Sequence, residues 1–398
     1  MKYWGVRAIS IVLAVLGCFA LDGFVKSGSN PELLIRLVVL AGLYVTLSVS
    51  LNLINGITGQ FSIGHAAFYM VGAYTSGYLS NNYASKIGIT GAPLMFILMV
   101  MGAAGAALAG LIVGLPSLRL RGDYLAVVTL GFGEIIRIIT QNSQPLGGAY
   151  GMNVAPKFKF VWMVWLLAVV CIAVCRNLLK TAHGLPFLAV REDEIASSAM
   201  GVNVTGVKVT AFVVGSAFAG AAGAMLANFD GFISPTTFPM ELSFTLLTMV
   251  VLGGTGSITG AALAGAVLFY LPERLKDMSA VTGSSLLAAV LAVLACVWVV
   301  KRIGETYHGP QLTRAGMYLG TVVGAIVVKL ALTMGFGAVP ILAQASFESN
   351  KLRMVIFAGT LIILMLIRPQ GVFAHHEFSW AWVAKLFGKK EPGKAVAA

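Results

Sequence analysis

Apolar runs of membrane-spanning length, separated by short polar breaks, constrain the fold of this chain more than any other feature. Twelve are read, at 8–21, 33–54, 60–80, 92–114, 124–140, 160–176, 207–229, 242–253, 258–271, 284–300, 315–338 and 351–367. A helix needs about 20 apolar residues to cross a bilayer. Of 398 residues, 58% are hydrophobic and 11% charged, with a mean hydropathy of +0.89. Such a mixture cannot supply a water-facing surface. Within hydrocarbon every backbone N–H and C=O must be paired, which excludes open sheet edges. The expected fold class is therefore all-α, a polytopic transmembrane helix bundle of about 10–12 spans, short or re-entrant helices included.

The runs at 242–253 and 258–271 are short and are joined by Gly253-Gly254-Thr255-Gly256-Ser257. Gly253, Gly254 and Gly256 are thus candidate glycines of a broken helix. Small residues four apart, Gly110 with Gly114 and Gly320 with Gly324, suit close helix packing and say little about function.

Basic residues set the expected orientation, because cytoplasmic loops retain Lys and Arg. Lys2, Arg7, Arg119, Arg121, Arg176, Lys180, Arg191, Lys208, Lys301, Arg302 and the Lys residues at 385, 389, 390 and 394 fall on one side. Both termini are expected inside, which makes 177–206 cytoplasmic and 141–159 and 230–241 external. The net charge of +12 needs no nucleic-acid partner, since anionic membrane lipid attracts the same loops. The first run, although it resembles a signal peptide, is expected to be a retained span.

No catalytic set, cofactor site or metal cluster stands out. The phosphate-cradling pattern G-x-x-x-x-G-K-[ST] is absent, so the chain is not expected to bind ATP itself. Cys18, Cys171, Cys175 and Cys296 lie in apolar runs without His or carboxylate neighbours and read as small buried hydrophobes. Glu134 and Arg137, three apart on one helix, read as an internal ion pair.

The segment 191–201 stands apart from this silence. Glu192, Asp193 and Glu194 are adjacent carboxylates; Ile195, Ala196, Ala199 and Met200 recur at helical spacing; Gly201 can close the helix in a left-handed conformation. A short amphipathic helix along the membrane is expected. An interfacial anchor would carry Lys and Arg on its polar face; three acids favour a protein partner.

The run 194–204, an acid followed by Ile-Ala-x-x-Ala-Met-Gly-Val-Asn-Val, resembles the coupling loop of permease subunits of ATP-binding-cassette importers. Leu51 to Phe68 (LNLINGITGQFSIGHAAF), Leu118 to Tyr124, Ile233-Ser234-Pro235, Val251 to Ser257 and Arg368-Pro369-Gln370-Gly371 together resemble the LivM-type permease subunits of branched-chain amino acid importers. The matches run in family order over 33–278 and 351–371. An insertion at about 279–350, with two further apolar runs, departs from the family pattern.

The resemblance implies a transport subunit and not an enzyme, with residues 1–371 as the transmembrane permease domain and 372–398 as a cytoplasmic tail. Its partners would be a second, LivH-type permease, two cytoplasmic ATPase subunits and a periplasmic substrate-binding protein, in a bacterial inner membrane. Glu192 to Gly201 would dock on the ATPases. The cargo would be leucine, isoleucine and valine; urea, amides and other small carboxylates are alternatives, as is a stand-alone ion-coupled carrier. Asn52, Asn55, Thr58, Gln60, Ser62 and His65 cluster at a Gly-containing break between two runs and are candidate pathway lining. For any one of them, hydrogen bonding between helices is the plainer expectation.

Overall fold

The computed structural model describes residues 15–27, 31–117, 123–276, 281–282 and 346–347. The expected runs at 284–300, 315–338 and 351–367, most of the 279–350 insertion, Lys329 and the 372–398 tail lie outside the described residues. Among those described, the chain is almost wholly helical. Helix α1 is described over 15–26. It is followed by α2 (Pro31–Asn52), α3 (His65–Ile87), α4 (Ala92–Ser117), α5 (Asp123–Asn142), α6 (Val161–Lys180), α7 (Leu185–Glu192), α8 (Glu194–Ala199), α9 (Val204–Asp230), α10 (Met240–Gly253) and α11 (Ile258–Lys276). Among the described residues, six segments are long and apolar enough to cross a membrane, so this is a multi-pass membrane protein.

Two compact units divide the chain at Tyr270 and Leu271. In the second, strand β3 (Val281–Thr282) pairs antiparallel with β4 (Ser346–Phe347). That pairing holds together two points near the ends of the 279–350 insertion. In the first unit, strands β1 (Met152–Asn153) and β2 (Phe232–Ile233) also pair antiparallel, Met152 opposite Ile233.

The first unit is built around α9, whose Gly- and Ala-rich middle packs against α3 and α4. A Cβ at Gly220 would strike Ala106 and the Gly102 carbonyl, one at Gly72 would strike the Gly220 backbone, and one at Gly223 would strike the Tyr69 carbonyl. Three helix backbones therefore approach at a distance that only small residues allow. Gly110 does the same at Ser216, whereas a Cβ at Gly114 would make only ordinary contact with Phe212. The buried Cys171 and Cys175 belong to an apolar cluster with Val49, Leu53, Ile57, Phe187 and Ile258.

The register of α3 on α9 sets the height of everything near its start. Tyr69 meets Gly223, and Asn228 Nδ2 donates to Ser76 Oγ at 2.7 Å, so the two helices run parallel. His65 lies four residues before Tyr69, about 6 Å along the axis, which puts the first residue of α3 near the middle of α9. The run expected to cross from residue 60 is thus helical only from His65, and 58–64 is irregular chain inside the bundle. Helix α11 runs antiparallel to α2: Ser48 Oγ donates to the Ala261 carbonyl at 2.9 Å, and Tyr44 stacks on Phe269 with ring centroids 4.9 Å apart.

Candidate functional site: two helix breaks and a connecting loop

The two glycine-bearing breaks meet. After α2 the backbone widens into a π-turn over Leu53–Ile57, closed by Thr58 N and Thr58 Oγ1 donating to the Leu53 carbonyl at 3.2 and 2.7 Å. Opposite it, α10 stops at Gly253 after 14 residues, about 21 Å of helix. The chain reverses through Gly254 and Gly256, at φ 110° and 91°, a region that β-carbon-bearing residues avoid. The turn at these glycines separates α10 from α11. Asn52 fastens one break to the other: its Nδ2 donates to the Ser257 carbonyl at 3.0 Å and its Oδ1 accepts from Gly256 N at 2.9 Å. Gly56 lies against this clamp, where a Cβ would overlap Asn52 Oδ1 and Gly256 N.

The remaining polar residues singled out in the sequence also find partners within the chain. Asn55 and Ser62 bond reciprocally, Nδ2 to the Ser62 carbonyl at 3.0 Å and Ser62 N to Oδ1 at 3.2 Å, which staples the 58–64 loop. Gln60 Nε2 donates to the Lys208 carbonyl at 3.5 Å. His65 Nε2 lies 2.8 Å from Ser50 Oγ. Asn52, Thr58, Gln60, Ser62 and His65 are buried and Asn55 is half-buried. The six share one region but serve three separate contacts: α2 to the 254–257 turn, the 58–64 loop to the π-turn and α9, and α3 to α2. Ser62 Oγ and His65 Nδ1 are buried with no hydrogen-bond partner among the described residues.

The 191–201 segment departs from a single amphipathic helix. Helix α7 ends at Glu192, the backbone of Asp193 turns extended (φ −155°, ψ 114°), and α8 begins at Glu194. The cause is capping: Asp193 Oδ1 accepts from Ile195 N at 2.8 Å and Ala196 N at 3.0 Å, satisfying two orphan amides of a new helix. Glu194 is likewise engaged internally, its Oε2 2.7 Å from Lys208 Nζ, which is buried in the first turns of α9. Of the three acids, Glu192 alone is left exposed without an internal partner among the described residues. The apolar side of the segment is its exposed side. Ile195 is 66% and Met200 84% exposed, while Ser197 is 6% exposed. Gly201 does close the segment at φ 85°, with Gly201 N and Val202 N donating back to the Ser198 and Ser197 carbonyls.

Sequence reasoning missed Arg191. The last turn of α7 brings it against both breaks: a Cβ at Gly59 would lie 3.3 Å from Arg191 Cα and Cγ, and one at Gly256 would lie 2.5 Å from its Nη1. Both glycines have positive φ, 73° and 91°, and their bare backbones make room for the side chain. Nothing local in the sequence announces this, since Arg191 reads as one more positive charge in a polar loop. Lys208 was missed for the same reason.

Comparison with known proteins places these features in a family. Residues 33–296 match the family model described as "Branched-chain amino acid transport system / permease component". The high-affinity branched-chain amino acid transport system permease protein LivM of Salmonella typhimurium is 36% identical over 291 residues, 64% of this chain and 66% of that protein. The LivM of Escherichia coli is 35% identical over 299 residues, 66% of this chain and 68% of the relative. The chain thus spans about two thirds of the length of these relatives. The LivH permease of Salmonella typhimurium is 26% identical over 290 residues, 65% of this chain and 91% of that protein. No solved structure matches the chain. By the family match and the identity to LivM proteins, this chain belongs to the permease component family of branched-chain amino acid transport systems.

Proposed function

We propose that this chain is the LivM-type permease of an ATP-binding-cassette importer that carries leucine, isoleucine and valine across a bacterial inner membrane. It works beside a LivH-type permease, with a periplasmic binding protein delivering the solute and two cytoplasmic ATPases supplying the work. The chain itself is a transport subunit; hydrolysis belongs to the ATPases. Both termini and the 181–203 loop face the cytoplasm on this reading.

The position of Arg191 carries the mechanism. ATP-driven closure must move membrane helices, and displacement passes only through contiguous packed elements. Helix α8 and the exposed edge of α7 supply the docking surface, with Glu192, Ile195, Ala196, Ala199 and Met200 toward the ATPase and Gly201 ending the element. Asp193 and Glu194 keep α8 rigid, through its cap and through Lys208. The adjoining turn of α7 seats Arg191 between Gly59 and Gly256, so a push on the loop reaches both helix breaks at once. Asn52, Asn55, Thr58, Gln60, Ser62 and His65 hold those breaks in one arrangement and would border the pathway when it changes. Gly253, Gly254 and Gly256 supply the turn that can rearrange.

The test is a reconstituted importer in vesicles. Ile195→Asp with Met200→Asp and Glu192→Lys should abolish ATP-driven leucine uptake while membrane insertion persists. Uptake at the wild-type rate would overturn the assignment of α8 as the coupling element.

A further inference from the structure

A narrow cleft lies between the first residues of α3, the middle of α5 and the first residues of α10. Its lining includes Glu134 and Arg137 together with Met70, Leu130, Phe238 and Ser243. We propose that this cleft is a transit site for an aliphatic amino acid as its zwitterion, with Arg137 taking the carboxylate and Glu134 the ammonium. The inference rests on the importer reading above and names the residues that would contact the solute.

Several observations converge. Glu134 and Arg137 lie within a segment of spanning length, Tyr124–Asn142, where ionisable groups are costly and tend to mark a pathway. They are bonded to each other, Arg137 Nε and Nη2 both reaching Glu134 Oε2 at 2.9 and 2.6 Å, yet remain 31% and 30% exposed. Both donors fall on one carboxylate oxygen, and the Glu241 carboxylate at the start of α10 also acts on the Arg137 charge. A zwitterion brings one positive and one negative group, so it can exchange the internal pair for two new pairs without leaving either charge unpaired. A solute with a single charge cannot.

Helices α3 and α10 both begin at the cleft, with Ala66 N donating to Ser243 Oγ at 3.1 Å where the two starts meet. Broken helices that present their N-termini at mid-membrane favour an anionic group there. The start of α3 lies near the middle of α9, so the cleft is at the depth that a translocating solute must pass. Met70, Leu130 and Phe238 in its wall suit a branched aliphatic side chain.

The experiment uses the whole importer in vesicles with loaded binding protein, reading leucine uptake and, separately, co-purification of the subunits. Wild-type uptake of leucine tests the importer reading by itself; if it fails, the cargo is wrong whatever the variants do. Given wild-type uptake, Glu134→Gln and Arg137→Gln should each lower it about tenfold or more, the loss expected for one charge-assisted hydrogen bond. The exchanged pair, Glu134→Arg with Arg137→Glu, keeps an ion pair on α5 but reverses its polarity against the two helix N-termini. It should assemble and stay as impaired as the single variants. Restoration of uptake by the exchanged pair would show a purely structural ion pair and overturn the proposal. Wild-type uptake in both single variants would overturn it as well. If a single variant fails to assemble, the doubly neutral Glu134→Gln with Arg137→Gln takes its place, with the same expected loss.

Discussion

Replacing Asn52 by leucine tests whether the two helix breaks are held as one unit. Leucine has similar bulk but no hydrogen-bonding group, so it removes the bond from Gly256 N at 2.9 Å and the bond to the Ser257 carbonyl at 3.0 Å together. Hydrogen bonds between membrane helices average about 0.6 kcal/mol and reach about 1.7 kcal/mol; two of them come to roughly 1–3 kcal/mol. The upper part of that range applies, because the turn at 254–257 is irregular and Gly256 N has no helical carbonyl to fall back on. Ser48→Ala is the internal control on the same face of α2. It loses the contact to Ala261 O, but that carbonyl lies within α11 and keeps helical hydrogen bonding, so the cost is about 0.6 kcal/mol. Unfolding of the purified protein in mixed micelles by denaturing detergent reads both. Asn52→Leu should be clearly less stable than Ser48→Ala, and leucine uptake should fall with it because Arg191 loses a fixed Gly256 to press against. Equal stability of the two variants would refute the clamp.

Two further predictions concern packing and the loop. Gly220→Val should reduce the yield of folded protein, costing about 1–3 kcal/mol or more, since its Cβ would strike Ala106 and the Gly102 carbonyl; Gly131→Ala, with open space at its Cβ, should instead be neutral or gain about 0.5–1 kcal/mol. Thermal unfolding of both variants checks the contrast. Asp193→Ala should cost α8 about 1 kcal/mol of capping, seen as faster amide exchange over 194–199, with unchanged exchange counting against the cap.

Much of the architecture was legible because hydrocarbon imposes it: apolar runs of spanning length must be helical, and those at 33–54, 92–114, 124–140, 160–176 and 207–229 are. Helix boundaries within the membrane were less legible. The run from residue 60 was read as one span from its start, but Gly59 and the Asn55–Ser62 staple keep it irregular until His65. The glycines at 253–256 announced a break, since few other residues tolerate their backbone angles. The Glu134–Arg137 pair followed from spacing alone. In 191–201 the period showed a short helix and its closing glycine, but not the break at Asp193, which depends on that side chain capping α8. Lys208, sixteen residues or less from each acid and anonymous in sequence, draws Glu194 inward, and Asp193 is consumed by its own cap.

By itself, then, the order of residues determined the class of protein, its helical content and its family, because these depend on composition, on local period and on motifs contiguous in the chain. Only the tertiary structure decided that Asn52 joins two breaks about 200 residues apart, that Arg191 rests on Gly59 and Gly256, and that the starts of α3 and α10 converge on an ion pair in α5. Each of those depends on how helices pack in depth and register, a long-range outcome of small-residue contacts around α9 that no local pattern encodes.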